Sequence, residues 1–321
     1  MKAKIIGTGC QLPAYTADNE YLSTLVETSD EWITERTGIR MRHLVQEETT
    51  TSLAAGAAGK ALAAAGMQAE EVELLIVATI TGDTETPSTA CRVQAELSAV
   101  NAVAFDINAA CSGFLYAVHI ADAFIRSGVY KNALLIGAET LSKLVDWTDR
   151  GTCVLFGDGA GAVVVAAAEQ GGVAAQSIGS NGSKWEVLSC AARPVRNPVR
   201  RDEEPCGYLR MDGQEVFKFA VKTVPLCIED ALEKAGMHPE EITYYLLHQA
   251  NKRIIQSVAK RLKQPEEKFP MNIDRCANTS AASLPILLAQ MDAEGKLHPG
   301  DKLVLSGFGA GLTWGACVLE W

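Results

Sequence analysis

Ala61-Leu62-Ala63-Ala64-Ala65-Gly66-Met67-Gln68-Ala69-Glu70-Glu71-Val72 returns later in the chain, without a gap, as Ala231-Leu232-Glu233-Lys234-Ala235-Gly236-Met237-His238-Pro239-Glu240-Glu241-Ile242. Each copy reads as a helix stopped by glycine, an acidic turn and then an apolar run, Leu74 to Ala78 in one and Tyr244 to Leu247 in the other. The order continues in both halves. Cys111 begins a helical stretch ending at Gly128, followed by the strand Ala133-Leu134-Leu135-Ile136, and Asn278 begins one ending near Gly295, followed by Lys302-Leu303-Val304-Leu305. Cys111 and Asn278 are thereby expected at equivalent places. Phe156-Gly157-Asp158-Gly159-Ala160-Gly161 leads into Ala162-Val163-Val164-Val165, as Phe308-Gly309-Ala310-Gly311 leads toward Gly315-Ala316-Cys317-Val318-Leu319. Strands alternating with helices in two similar halves predict a layered α/β fold in which two sheets share a central helical layer, with a ligand site where the halves join.

Asp106-Ile107-Asn108-Ala109-Ala110-Cys111-Ser112-Gly113-Phe114 is the stretch that carries the chemistry. Ala102 to Phe105 reads as a short buried strand before it, and Leu115, Val118, His119, Asp122, Ala123 and Ile125 keep a helical period after it. Cys111 is therefore expected at a helix N-terminus. Unsatisfied N–H groups and the helix dipole there favour an anion, pushing a thiol of ordinary pKa about 8.5 toward the thiolate that attacks carbonyls. A small core cysteine is the alternative reading. His248 stands at the end of a strand, immediately before the helix Lys252 to Lys263, where ligands meet folds of this kind; the first half has Ala78 at the matching place. A structural histidine is the alternative, weighed against the convergence of Cys111, His248 and Asn278 by symmetry. Cysteine, histidine and asparagine also describe a papain-like protease, but here two of the three start repeated helices of one α/β scaffold.

The glycines of Phe156 to Gly161 are followed by a strand rather than a helix, which argues against a nucleotide-cofactor loop. Those of Ser306-Gly307-Phe308-Gly309-Ala310-Gly311 suit close backbone approach, so the Gly309 N–H is expected to face an oxyanion beside Cys111, a tight turn being the alternative. Gly7-Thr8-Gly9 reads as a turn after the first strand. With 321 residues, 48% hydrophobic and 21% charged, the chain buries a large core without disulfide or metal staples. Nine cysteines, an odd number with no C-x-x-C pair, argue against a disulfide framework and a zinc site, and no metal is expected. No apolar run is long enough for a membrane, and a cytoplasmic protein is expected. A net charge of -10 disfavours nucleic acid and makes the basic cluster Lys252, Arg253, Lys260, Arg261 and Lys263 a local exception. The Pro- and charge-rich stretch 191–206 is read as either a flap or an inert connector.

Taken together, Thr28-Ser29-Asp30-Glu31-Trp32-Ile33 with Arg36-Thr37-Gly38-Ile39-Arg40, Ala110-Cys111-Ser112-Gly113-Phe114, Asp149-Arg150-Gly151-Thr152, Phe156 to Gly161, His248-Gln249-Ala250-Asn251, Asn278-Thr279-Ser280-Ala281-Ala282-Ser283 and Thr313-Trp314-Gly315 closely resemble β-ketoacyl-acyl carrier protein synthases III, condensing enzymes of the thiolase superfamily. The resemblance runs over essentially the whole chain. It implies a thiolase-like fold layered α-β-α-β-α, with residues 1–170 carrying the nucleophile and 171–321 carrying His248 and Asn278 in one compact unit. It further implies that Cys111 takes an acyl group from acyl-coenzyme A and passes it to a carbanion formed from malonyl-acyl carrier protein, which starts type II fatty-acid synthesis. The coenzyme A thioester is then a substrate and no cofactor is needed. His248 and Asn278 would stabilise the enolate, the N–H groups of Cys111 and Gly309 the tetrahedral oxyanion. Trp32, Arg36, Arg150, Gln214 and Asn251 would hold coenzyme A, with Gln214 where the family often has Asn. Thr86 and Leu312 would bound the acyl pocket, Thr86 replacing a bulky residue and so admitting longer primers. Gln249, Ala250, Asn251, Lys252, Arg253, Lys260 and Arg261 would meet the carrier protein, and a homodimer is implied. A secondary-metabolism acyltransferase or ketide synthase, and a catalytically silent scaffold partner, are the rival readings.

Overall fold

The structure, a computed structural model, describes residues 1–200 and 207–321. Two sheets organise these residues. The first holds β1 (Lys2–Gln11), β2 (Leu74–Ala78), β3 (Val103–Ile107), β4 (Asn132–Thr140) and β5 (Asp158–Ala168) in the order β1-β5-β4-β2-β3. The second holds β6 (Gly172–Ser180), β7 (Tyr244–Leu247), β8 (Lys302–Gly309) and β9 (Thr313–Glu320) in the order β7-β8-β9-β6. In the first sheet β3, β2 and β4 run parallel and in the second β7 and β8 do, the remaining neighbours pairing antiparallel; the order β2-β4-β5-β1 is repeated as β7-β8-β9-β6. Lys2 and Gly172, Leu74 and Tyr244, and Asn132 and Lys302 begin matching strands, each pair 170 positions apart, the spacing of Ala61 and Ala231.

Flanking these sheets are α1 (Asp30–Thr37), α2 (Thr50–Ala65), α3 (Thr89–Leu97), α4 (Gly113–Arg126), α5 (Gly213–Ala235), α6 (Lys252–Leu262) and α7 (Ser283–Ala293). Strand alternation sends Leu74, Ile76 and Leu135 inward to α4 and α7, and Leu75, Val77, Leu134 and Ile136 outward to α2. The second sheet does likewise: Leu303 and Leu305 meet the central helices, while Tyr245, Leu247 and Val304 meet α5 and α6. The result is five layers, α-β-α-β-α. Each fully buried Leu or Ile in the middle layer contributes about 1.5–3 kcal/mol, so the shared core ties the halves together.

Three expectations need correction. Gly7 and Gly9 are inside β1, not in a turn after it; a Cβ at Gly7 would lie 2.4 Å from the Ala61 carbonyl oxygen and one at Gly9 2.3 Å from that of Ala57, so α2 packs against bare backbone. The strand near Ala102–Phe105 is not buried: Val103 is exposed, the rest of β3 is half-buried, and β3 forms the outer edge of its sheet. Apolar sequence marked a strand but not whether a neighbour covers it. Finally, α4 and α7 are each preceded by a short 3-10 turn, Ala110–Ser112 and Ser280–Ala282. The 170-residue spacing therefore pairs Cys111 with Ala281, and Asn108 with Asn278; Asn278 lies ahead of its turn, not at the helix start. Of the stretch 191–206, positions 201–206 lie outside the described residues; residues 197–200 form a turn in which Asn197 Oδ1 accepts from the N–H groups of Val199 and Arg200.

Glycine positions give a paired test of this packing. A Cβ at Gly137 in β4 would sit 2.2 Å from the Ala281 carbonyl oxygen, whereas one at Gly59, exposed on α2, meets nothing within 4 Å. Gly137→Ala is expected to abolish accumulation of folded protein. Gly59→Ala is expected to stabilise by about 0.5–1 kcal/mol through lower backbone entropy of the unfolded chain, read as a higher Tm; equal Tm values for both variants would contradict this account.

Candidate active site

A cavity of 280 Å³ opens between the sheets, and Cys111, His248 and Asn278 all line it. Cys111 comes from the turn before α4. Its neighbour Ala110 has a left-handed backbone, φ 45, which turns the chain sharply from β3 into the helix. Against that turn lies the end of β8: a Cβ at Gly309 would be 2.7 Å from the Cys111 backbone nitrogen, so only glycine lets the two backbones meet.

His248 follows β7 directly and is 2% exposed. Its N–H donates to the Ser306 carbonyl at 2.8 Å, Nδ1 is 2.6 Å from Ser283 Oγ, and the ring sits edge-on to Phe308. Asn278 is held from both sides of its backbone, N–H to the Leu155 carbonyl and carbonyl to the Gly157 N–H, each at 3.0 Å. Its Oδ1 accepts from the Ser280 N–H at 2.9 Å, which leaves the Nδ2 amide as the donor end facing the cavity. Ser283, whose hydroxyl meets His248 across 35 residues, and Ser280, whose backbone N–H holds Asn278 two positions away, both lie in the second-half motif; neither contact leaves a signal in residue spacing.

Electrostatics differ from the sequence expectation. Burial pushes the Cys111 thiol up to about 12, opposed by the Ser280 hydroxyl and its own N–H and reinforced by the charge of Glu139. Loss of water outweighs the helix start here, so the resting group is a thiol rather than a thiolate. Burial likewise lowers His248 to about 3, leaving a neutral imidazole. Cys317, expected inside a strand, is buried in β9 and is not among the residues lining the cavity.

At the mouth, Trp32 on α1 lines the cavity, with the Arg150 guanidinium 4.9 Å and that of Arg36 5.7 Å from its ring. Arg150 also donates to the Glu27 carbonyl. Asn251 caps α6 through the Arg253 N–H and donates Nδ2 to the Arg36 carbonyl at 3.0 Å, so it shapes the mouth. Gln214 is exposed and Gly213 lines the cavity in its place. Thr86 is exposed on the connection between β2 and α3, away from the cavity lining, and Leu312 is buried with its backbone paired to Asn181; neither bounds the pocket within one chain. Gln249 is also misplaced by the sequence reading. It is fully buried, donating to the Leu247 carbonyl and accepting from the Asn272 N–H, and so is no docking residue. Ala250 lines the cavity, while Lys252, Arg253, Lys260 and Arg261 are exposed along α6.

Paired helices between two like sheets, with Cys, His and Asn on one cavity, define a thiolase-fold condensing acyltransferase. A family model described as 3-oxoacyl-[acyl-carrier-protein (ACP)] synthase III matches residues 105–182, and its C-terminal counterpart matches residues 232–321. With the β-ketoacyl-[acyl-carrier-protein] synthase III of Clostridium perfringens 50% identical over 320 residues, 99% of each chain, the chain belongs to that family. The Aquifex aeolicus synthase III is 49% identical over 322 residues, covering 100% of both chains. A crystal structure of the Aquifex aeolicus protein superposes with a TM-score of 0.94 at 50% identity, covering 99% of this chain and 100% of that one. The priming β-ketosynthase of the R1128 polyketide pathway gives 0.93 at 33% identity, covering 99% and 96%.

The buried imidazole yields a pH test. The folded group stays neutral down to about pH 3, while the unfolded one protonates near 6.5. His248 therefore contributes stability at neutral pH that is lost as pH falls below about 6.5, where only the unfolded chain takes up the proton. NMR is expected to show no titration of the His248 ring between about pH 8 and pH 5; a midpoint in that window would overturn the neutral assignment.

Proposed function

We infer that the chain carries out decarboxylative Claisen condensation of an acyl-coenzyme A primer with malonyl-acyl carrier protein, giving β-ketoacyl-acyl carrier protein, carbon dioxide and coenzyme A, the initiating step of type II fatty-acid synthesis. One observation carries this reading: among the described residues that line the cavity beside the nucleophile are two neutral hydrogen-bond donors and no carboxylate. Loss of carbon dioxide from malonyl creates an enolate without proton abstraction, so the site needs donors for an oxyanion rather than a base. A thiolase-type reaction, which must remove a proton, would need a second acid–base group at the cavity.

Cys111 attacks the primer thioester and coenzyme A departs. Malonyl then enters, and the enolate oxygen formed on decarboxylation rests on His248 Nε2–H and Asn278 Nδ2–H. For Nε2 to carry the proton, Ser283 must donate to Nδ1, which the 2.6 Å separation permits. The enolate carbon attacks the acyl-cysteine, and the tetrahedral oxyanion lies between the N–H groups of Cys111 and Gly309 before the Cys111 sulfur leaves. No resident cofactor is part of this scheme. Trp32 between Arg150 and Arg36 offers a flat, cationic surface suited to an adenine ring and its phosphates. A homodimer belongs to the same proposal, supported by the half-buried apolar edge of β3, which no strand covers among the described residues. Cytoplasmic residence is proposed because the described cysteines are free, as suits a reducing compartment; no helix among the described residues is long and apolar enough to cross a membrane.

The deciding experiment supplies acetyl-coenzyme A, then malonyl-acyl carrier protein, and follows carbon dioxide and the acetoacetyl product. Cys111→Ala is expected to abolish the acyl-enzyme. His248→Ala and Asn278→Ala are expected to keep an acyl adduct visible by mass spectrometry while decarboxylation falls by about 10²–10³; no adduct on either variant would defeat this division of roles.

Carrier-protein docking is proposed at α6, where Lys252 and Arg253 lie next to the mouth and Lys260 and Arg261 continue the basic face. Arg253 also stacks over Phe217 at 5.8 Å, and Phe217 lines the cavity. Charge of this kind steers encounter, with an effect that salt weakens. Arg253→Glu is expected to slow the malonyl-acyl carrier protein step at low salt, less so at high salt, and to spare acyl transfer from acetyl-coenzyme A. Equal losses in both steps would count against docking here.

A further inference from the structure

Two departures from the internal repeat face one another behind Cys111. The 170-residue spacing sets Gly309, which abuts the Cys111 nitrogen, against Glu139, and sets Ala110 against Ser280. Ala110 and Ser280 share the same left-handed backbone, φ 45 and 49, so the second half places a hydroxyl where the first has a methyl. Glu139 is a carboxyl at 0% exposure near the end of β4. It accepts from Thr81 Oγ1, from Thr79 Oγ1 at 3.2 Å and from the Ile80 N–H at 3.2 Å. Gly137, two positions before Glu139 on the same face of β4, lies against the Ala281 backbone, which sets Glu139 toward the turn that carries Ser280. Ser280 Oγ is buried, bonds no partner at rest and favours the charged form of both Glu139 and Cys111. Ser280 lines the cavity; Glu139 does not.

The condensation scheme leaves the thiol proton without an acceptor, since His248 is too weak a base. We propose that Glu139 and Ser280 form a proton relay for Cys111, an inference resting on the acyl-transfer reading above. As the Cys111 sulfur bonds to the thioester carbon, its proton passes to Ser280 Oγ and the Ser280 hydroxyl proton passes to the Glu139 carboxylate. When the tetrahedral adduct breaks its bond to coenzyme A sulfur, the proton returns by the same path to that leaving thiolate. One proton and one negative charge are conserved throughout. Ser280 exchanges protons with the reacting sulfur, and Glu139 acts through Ser280.

Burial raises Glu139 to about 7, against the pull of Thr81, Ile80, Thr79 and Ser280, so the acceptor form appears as pH rises through neutrality. The titratable groups that face it are few. Cys111 feels its charge from the turn before α4; Lys143 feels it from the turn after β4, but its ammonium bonds the Thr81 and Gly82 carbonyls and pairs with Asp83 at 3.7 Å. The flanking residues 79–81 and 280–282 present hydroxyls and amides without charge.

The test is single-turnover acylation of the full chain by acetyl-coenzyme A across neutral pH, read by mass spectrometry, together with Cys111 alkylation by iodoacetamide. Wild type is expected to quicken as pH rises through about 7 in both reactions. Glu139→Gln and Ser280→Ala are each expected to be slower by about a hundredfold and to lose that rise, the double variant to be no slower than either, and Glu139→Asp to recover part of the rate. Either single variant matching wild type in rate and profile, or losses that multiply in the double variant, would overturn the relay. A carboxyl that only ties down residues 79–81 would change stability without moving the profile. Should no thioester acylate wild type while iodoacetamide still shows the profile and its loss, the condensation reading falls and the relay stands. If Glu139→Gln does not fold, Ser280→Ala alone decides: its profile either loses the rise or keeps it.

Discussion

Two strand ends, each pressed bare against the other half's turn, set the geometry on which everything else depends. Gly137 of β4 meets the Ala281 carbonyl, and Gly309 of β8 meets the Cys111 nitrogen, at separations that no Cβ would survive. Because interiors pack at crystal-like density, such contacts leave little freedom for the helices that start there. Gly113, at the head of α4, is under the same constraint: a Cβ would lie 2.9 Å from that of Ala78 and 3.5 Å from that of Ala281. The nucleophile is thus located by what its neighbours lack, and its backbone N–H is held where an oxyanion donor has to be.

Burial then decides the chemistry. A site closed this tightly keeps Cys111 as a thiol and His248 as an imidazole, the opposite of the ion pair that often activates a catalytic cysteine. Neutral donors in a buried site hold a developing enolate well, and Asn278 is aimed by the Ser280 N–H. The burial that suits the second half of the reaction makes the first half harder, since the thiol must lose its proton. A carboxyl behind the turn, itself held near neutrality by burial, reconciles the two requirements. Arg36, Arg150 and Arg253 keep positive charge exposed at the mouth.

The amino-acid sequence by itself determined the doubled α/β plan. Ala61–Val72 and Ala231–Ile242 repeat at a spacing that persists strand by strand, and periodicity is a local property that survives without coordinates. It also marked Cys111 and His248, which follow strands and precede helices, and Asn278 through the repeat of the halves. What only the tertiary structure decided concerns contacts between distant segments. The turns ahead of α4 and α7 showed that Cys111 lies within its turn and Asn278 before the equivalent one. Gln249 proved to be sealed in by Asn272, Thr86 stayed outside the cavity, and β3 proved to be an edge strand. The thiol's proton affinity depends on burial by segments distant in the chain, such as the strand end at Gly309 that abuts Cys111, and one-dimensional spacing does not record solvent exclusion.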